Sequence, residues 1–172
     1  MSDFSSLGIE PKLLKAVEAL GFQTPTEVQL QAIPILLEQE TDMVALAQTG
    51  TGKTAAFGLP MLQRIDTNSR TTQGLVIAPT RELCLQISNE LIKYAANKKG
   101  LNIVPIYGGA SITDQAKSVK KGAQVLVATP GRMQDMMRRK IINISSVEYC
   151  VLDEADEMLN MGFKEDITNI LS

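Results

Sequence analysis

The sequence predicts an α/β fold: an open, mainly parallel sheet with helices on both faces. Three observations lead there. Five short aliphatic runs, at 42–47, 74–78, 102–107, 124–128 and 148–152, are uniformly apolar instead of alternating, as suits strands buried on both faces. Helical patterns separate the later runs in a repeated β-α order. Finally, a glycine-rich octet, an acidic tetrad and three turns bearing proline or glycine each stand directly after one of these runs, at the edge where open parallel sheets gather their ligands.

The elements follow in order. Pro11 at a first helical position, the apolar Leu13, Leu14, Val17 and Leu20, and Gly21 as a stop define a short amphipathic helix. A second helix starts near Thr26, with Pro34 bending it. Further helices are expected near 53–66, 81–98, 112–121 and 131–139, with Gly100 as the clearest stop. The stretch 66–72 is a surface loop, and the sequence contains neither an internal repeat nor a low-complexity linker.

Composition sets further bounds. With 172 residues, 44% hydrophobic, only 4% aromatic and no Trp, the core must be built from aliphatic side chains and the 8 Met; Met133, Met136 and Met137 read as core packing. The absence of His removes histidine triads, His-ligated zinc and a histidine general base. Cys84 and Cys150 form no C-x-x-C and lie in apolar stretches, so both are expected to be buried thiols. The chain opens without a basic and apolar leader, and no apolar run approaches a membrane span, which leads to the expectation of a cytoplasmic protein. A net charge of -2 excludes coating of nucleic acid by bulk charge, so any such contact is local. The clusters at Lys98-Lys99, Lys117, Lys120-Lys121 and Arg138-Arg139-Lys140 suit solvated helix ends.

The octet Ala47-Gln48-Thr49-Gly50-Thr51-Gly52-Lys53-Thr54 has the form of a phosphate-binding loop, with Ala47 where the first glycine usually stands. Gly50 and Gly52 allow positive-φ geometry that turns successive N–H groups inward around a polyphosphate. Lys53 then reaches the β- and γ-phosphates, and Thr54 holds Mg²⁺. Downstream, Asp153-Glu154-Ala155-Asp156 follows the run at 148–152, placing carboxylates at a strand end. An ATPase needs one acid there for the hydrated metal and a second to activate water, roles that fall to Asp153 and Glu154.

With these two elements the chain resembles the first RecA-like domain of a DEAD-box ATP-dependent RNA helicase. The segment from Gly21 to Gln29 resembles that family's Q motif, with Glu27 and Val28 departing from the usual residues. The resemblance assigns adenine reading to Gln29, packing of the base to Phe22 and the upstream Phe4, a place in the nucleotide site to Thr24, and a link to the phosphate loop to Thr26. An amide carries both the donor and the acceptor that adenine requires. Pro79-Thr80-Arg81-Glu82 resembles motif Ia, Gly108-Gly109 the glycine doublet, and Thr129-Pro130-Gly131-Arg132 motif Ib. These strand-end turns imply sequence-independent contacts with the backbone of single-stranded or duplex RNA, from helix N-termini and from Arg81 and Arg132. Asp156 is implied to couple the site to motif III.

The implied function is an ATP- and Mg²⁺-dependent RNA helicase, of which residues 1–172 form the N-terminal ATP-binding domain, with a Q-motif region at 4–30 and a phosphate-loop core at 42–172. Motif III and the second RecA-like domain have no counterpart, so a domain that binds nucleotide without unwinding RNA is expected. In this fold the strand leading to motif III lies between the phosphate-loop strand and the acidic-motif strand. The sheet is therefore expected to close up imperfectly or to take in a strand from another chain. The alternative function is a non-catalytic RNA-binding or assembly module holding a structural nucleotide.

Overall fold

The computed structural model describes residues 3–38 and 41–172, which fall into two compact units. The first comprises Met1–Ile65 with Glu90–Lys99, the second Asp66–Asn89 with Gly100–Ser172. The helix that joins their sequences, Arg81–Tyr94, contributes to both.

In the first unit a 3₁₀ turn at Phe4–Leu7, capped by Asp3, precedes α1 (Pro11–Ala19), α2 (Glu27–Glu38) and α3 (Lys53–Arg64). Pro11 begins α1, and Gly21, at φ 82°, follows its end. α2 packs along α3, burying Ala32 and Ile33 of one and Ala55, Leu59 and Leu62 of the other. The segment 90–99 completes this unit. Leu91 lies so close to α3 that a Cβ on Gly58 would stand 2.5 Å from its Cδ2. Beyond it, the Lys98 ammonium donates to the carbonyls of Leu62 (2.6 Å) and Gln63 (2.9 Å) and pairs with Glu10 at 3.2 Å. A cation over the last-turn carbonyls of α3 satisfies acceptors that the helix itself cannot.

In the second unit four strands, β1 (Gly74–Ile77), β2 (Ile103–Ile106), β3 (Val125–Ala128) and β4 (Tyr149–Leu152), form a parallel sheet in the order β2-β3-β1-β4. Registers pair Leu75 with Leu126 and Cys150, and Val104 with Leu126. The intervening helices are α4 (Arg81–Tyr94), α5 (Ile112–Lys120) and α6 (Pro130–Arg138); α7 (Ala155–Asn160) and α8 (Lys164–Leu171) follow β4. One sheet face packs Leu75, Ile77, Ile106 and Leu126 against Met133, Met136, Met158 and Ile170, with Met137 at the margin, as the methionine spacing predicts. Val76, Val125 and Val127 alternate onto the other face and are equally buried. Cys84 lies against that sheet, its Sγ donating to the Val127 carbonyl at 2.9 Å, and burial pushes its thiol up to about 11. At the strands' amino ends the buried Gln124 bonds Asn102, Ser69 and Gly100, tying loops that would otherwise splay.

Four of the five expected strands form, each slightly shorter than its apolar run. The fifth does not. Residues 41–48 have no strand structure, and Val44 and Leu46 are 90% and 97% exposed. An apolar run becomes a buried strand only when neighbours on both sides take its backbone hydrogen bonds, and no strand among the described residues does so. Among the described residues β4 pairs within the sheet with β1. Its residues alternate between half-buried and exposed, so Cys150, expected inside, is exposed. α4 ends at Tyr94, earlier than the expected 98, and a turn leads to Gly100 at φ 86°. No described helix is long and apolar enough to cross a membrane.

Candidate functional site: a phosphate loop and a row of strand-end turns

The first unit holds the phosphate loop. Gly50 and Gly52 take φ of 81° and 84°, the left-handed region that side chains resist, and Lys53 and Thr54 open α3 immediately afterwards. The loop thus ends on unpaired N–H groups at a helix N-terminus, where the helix dipole favours an anion. Thr51 Oγ1 donates to the Gln48 carbonyl at 2.7 Å, closing the turn from within.

Gln29 lies 3% exposed beneath this loop. Its Oε1 accepts from the Thr26 N–H at 2.9 Å, and its Nε2 donates to the Gly52 carbonyl at 3.0 Å. The tie between Q motif and phosphate loop, which the resemblance gives to Thr26, runs in this structure through Gln29. One amide hydrogen and one lone pair remain for a ligand, since a primary amide donates twice and accepts twice. Phe4 is buried and stacks on Phe22 at 6.3 Å; Phe22 is 38% exposed and also meets Tyr94 at 6.2 Å. Thr24 is exposed.

The second unit gathers the remaining motifs at the carboxyl edge of its sheet. After β1, Pro79 is buried, Thr80 accepts the Leu83 N–H as an N-cap of α4, and Arg81 and Glu82 face solvent. After β2 come the exposed Gly108 and Gly109, the latter at φ 81°. After β3, Thr129 stands at the N-cap position of α6 without a side-chain capping bond, Pro130 occupies the first turn and Gly131 is exposed. After β4, Asp153 donates its N–H to the Ile77 carbonyl at 2.9 Å and accepts from the Glu154 N–H at 3.1 Å. Glu154 stands at φ 53°, an uncommon conformation for a residue with a Cβ, and turns the chain sharply into α7. Asp156 is exposed in the first turn of α7.

The guanidinium groups differ in setting. Arg81 lies 5.0 Å over the Tyr107 ring. Arg132 is half-buried, with Nη1 donating to the Ala110 carbonyl and to Gln115 Oε1, both at 3.1 Å. Tyr107 and Gln115 belong to no motif, and sequence reasoning passed over them. A signal existed for Gln115, a polar residue interrupting the apolar stripe of Ile112, Ala116 and Val119 on α5.

Known proteins resemble this chain in sequence and in fold. The profile of the DEAD/DEAH box helicase family matches residues 26–172. A DEAD-box ATP-dependent RNA helicase CshA of Bacillus cereus is 51% identical over 172 residues, all of this chain and 32% of that protein. An ATP-dependent RNA helicase DeaD of Mycobacterium tuberculosis is 50% identical over 169 residues, 98% of this chain and 30% of its own length. The chain therefore spans about a third of these relatives. Among solved structures, a DEAD box protein from Methanococcus jannaschii superposes with a TM-score of 0.93 at 41% identity, covering 98% of this chain and 46% of that one. Dbp5 of S. cerevisiae, bound to RNA and ADP BeF3, superposes with a TM-score of 0.88 at 35% identity, covering 99% and 43%. On the family profile, the identities and the fold together, this chain belongs to the DEAD/DEAH box helicase family.

Proposed function

We propose that this chain is the N-terminal ATP-binding domain of an ATP-dependent RNA helicase, which couples ATP hydrolysis to RNA unwinding or remodelling of RNA–protein complexes. The observation that carries the reading is the phosphate loop: two left-handed glycines deliver Lys53 and Thr54 to a helix N-terminus, the arrangement a polyphosphate requires. In this role Lys53 and the amides of residues 47–54 bind phosphates, while Gln29, Phe4, Phe22 and Thr24 receive the adenine. Mg²⁺ takes oxygen ligands and keeps several of its waters, so one or two protein groups suffice to hold it beside the phosphates. Thr54 and Asp153 are those groups, the ion supplying charge neutralisation at the phosphates when bound; Glu154 orients and deprotonates water, and Asp156 couples hydrolysis to RNA.

Support for RNA as the partner comes from the second unit, where the turns after β1, β2 and β3 expose Arg81, Gly108, Gly109 and Gly131 along one sheet edge. A second RecA-like domain supplies the rest of the groove and the arginine finger, a contribution of about 10³–10⁵ in rate for phosphoryl transfer. A strand from outside the described residues takes up the open side of β4. The reading places the protein in the cytoplasm. The test is ATPase activity of the longer protein with and without single-stranded RNA. Stimulation by RNA, lost in Lys53→Ala and in Glu154→Gln, is the expected result. Absence of stimulation, or activity that survives both substitutions, refutes an RNA-dependent motor and leaves the binding-module reading.

A further inference from the structure

We propose that Gln115 is a positioning residue for RNA binding: it latches the turn after β2 to the turn after β3 by bonding Nη1 of Arg132. The inference rests on the RNA-binding reading above and deepens it. Gln115 is 8% exposed, so both ends of its amide must be satisfied internally. They are: Nε2 donates to the Tyr107 carbonyl at 3.0 Å, and Oε1 accepts from Arg132 Nη1 at 3.1 Å. The same Nη1 reaches the Ala110 carbonyl at 3.1 Å. Gln115 and Arg132 together therefore grip the chain on both sides of Gly108-Gly109.

That turn needs an outside grip. Gly108 and Gly109 are exposed and carry no side chain, so the doublet packs nothing that would hold it in one conformation. Tyr107, whose carbonyl Gln115 holds, carries the Arg81 guanidinium over its ring at 5.0 Å. One series of contacts thus runs from Arg81 through Tyr107 and Gln115 to Arg132, spanning all three RNA-facing turns. Pre-ordering these turns removes an ordering cost that binding would otherwise meet. The arginine fork matters here for its geometry as well as its charge, and lysine supplies only the charge.

The test measures affinity for a fluorescein-labelled single-stranded RNA by anisotropy. Gln115→Met and Arg132→Lys should each weaken binding about tenfold, the scale of a lost hydrogen bond to a charged group, and the double variant should bind no worse than either single one. Gln115→Glu, which keeps the acceptor for Arg132 but not the donor for Tyr107, should fall between wild type and Gln115→Met. It replaces Gln115→Met in the cycle if that variant lacks the wild-type circular dichroism. Affinity of the Gln115 variant for a fluorescent ADP should stay at the wild-type value, which a general loss of structure would not allow. Wild-type RNA affinity in Arg132→Lys, no loss on substituting Gln115, or losses that multiply to about a hundredfold would each overturn the latch. A wild-type protein that binds no RNA at all overturns the proposed function and the latch with it, an outcome distinct from the other three.

Discussion

At the scale of single residues, the two loop glycines look interchangeable in sequence and are not. Both stand in the left-handed region, but a Cβ on Gly50 would meet nothing within 4 Å, whereas one on Gly52 would lie 2.4 Å from Gln29 Nε2. Gly50→Ala is therefore expected to cost about 1 kcal/mol, the backbone strain alone. Gly52→Ala must also displace the buried Gln29, breaking its bond to the loop, and should cost about 3 kcal/mol and weaken nucleotide binding much more than Gly50→Ala does. Urea unfolding of the two variants, with fluorescent ADP titration alongside, checks the ranking; equal losses would show that Gln29 yields freely. The need for glycine at both positions was readable from the octet. The reason specific to Gly52 was not, because the side chain that crowds it lies 23 positions upstream.

At the scale of elements, helix positions followed the sequence closely because their signals are local: Pro11 starts α1, and Ser111 caps α5 by accepting the Asp114 N–H. α3 shows how a local element comes to depend on a distant one. Its last turn leaves carbonyls open, and Lys98, with a side chain 9% exposed, fills two of them while paired to Glu10. The sequence marks Lys98 only as a solvated helix-end charge, since nothing near it shows where its ammonium goes. Lys98→Met is expected to destabilise the protein by about 2–4 kcal/mol, as it leaves buried acceptors and a carboxylate without their donor. The shift in the urea midpoint measures this; a change within about 0.5 kcal/mol would assign Lys98 to the ordinary surface.

At the scale of the whole molecule, the sheet extends as far as strand pairing does. β1 and β3 lie in its interior with every residue buried, β4 pairs with β1 at the edge, and residues 41–48 pair with none of the described strands. Hydrogen exchange should reflect this order: slowest in β1 and β3, faster in β4, and fast for the amides of 42–47, and core-like protection of 42–47 would contradict the open arrangement. From its sequence alone this protein has its strand and helix order, its loop and strand-end motifs and hence its family, because phosphate turns, caps and buried strands are written in contiguous residues. Tertiary structure alone decided that the run at 42–47 is not a strand, that Cys150 is exposed, that Gln29 ties Q motif to loop and that Gln115 secures Arg132. The physical reason is common to all four: pairing and hydrogen-bond satisfaction depend on partners far along the chain, and an apolar run or a lone amide does not state which partners it will find.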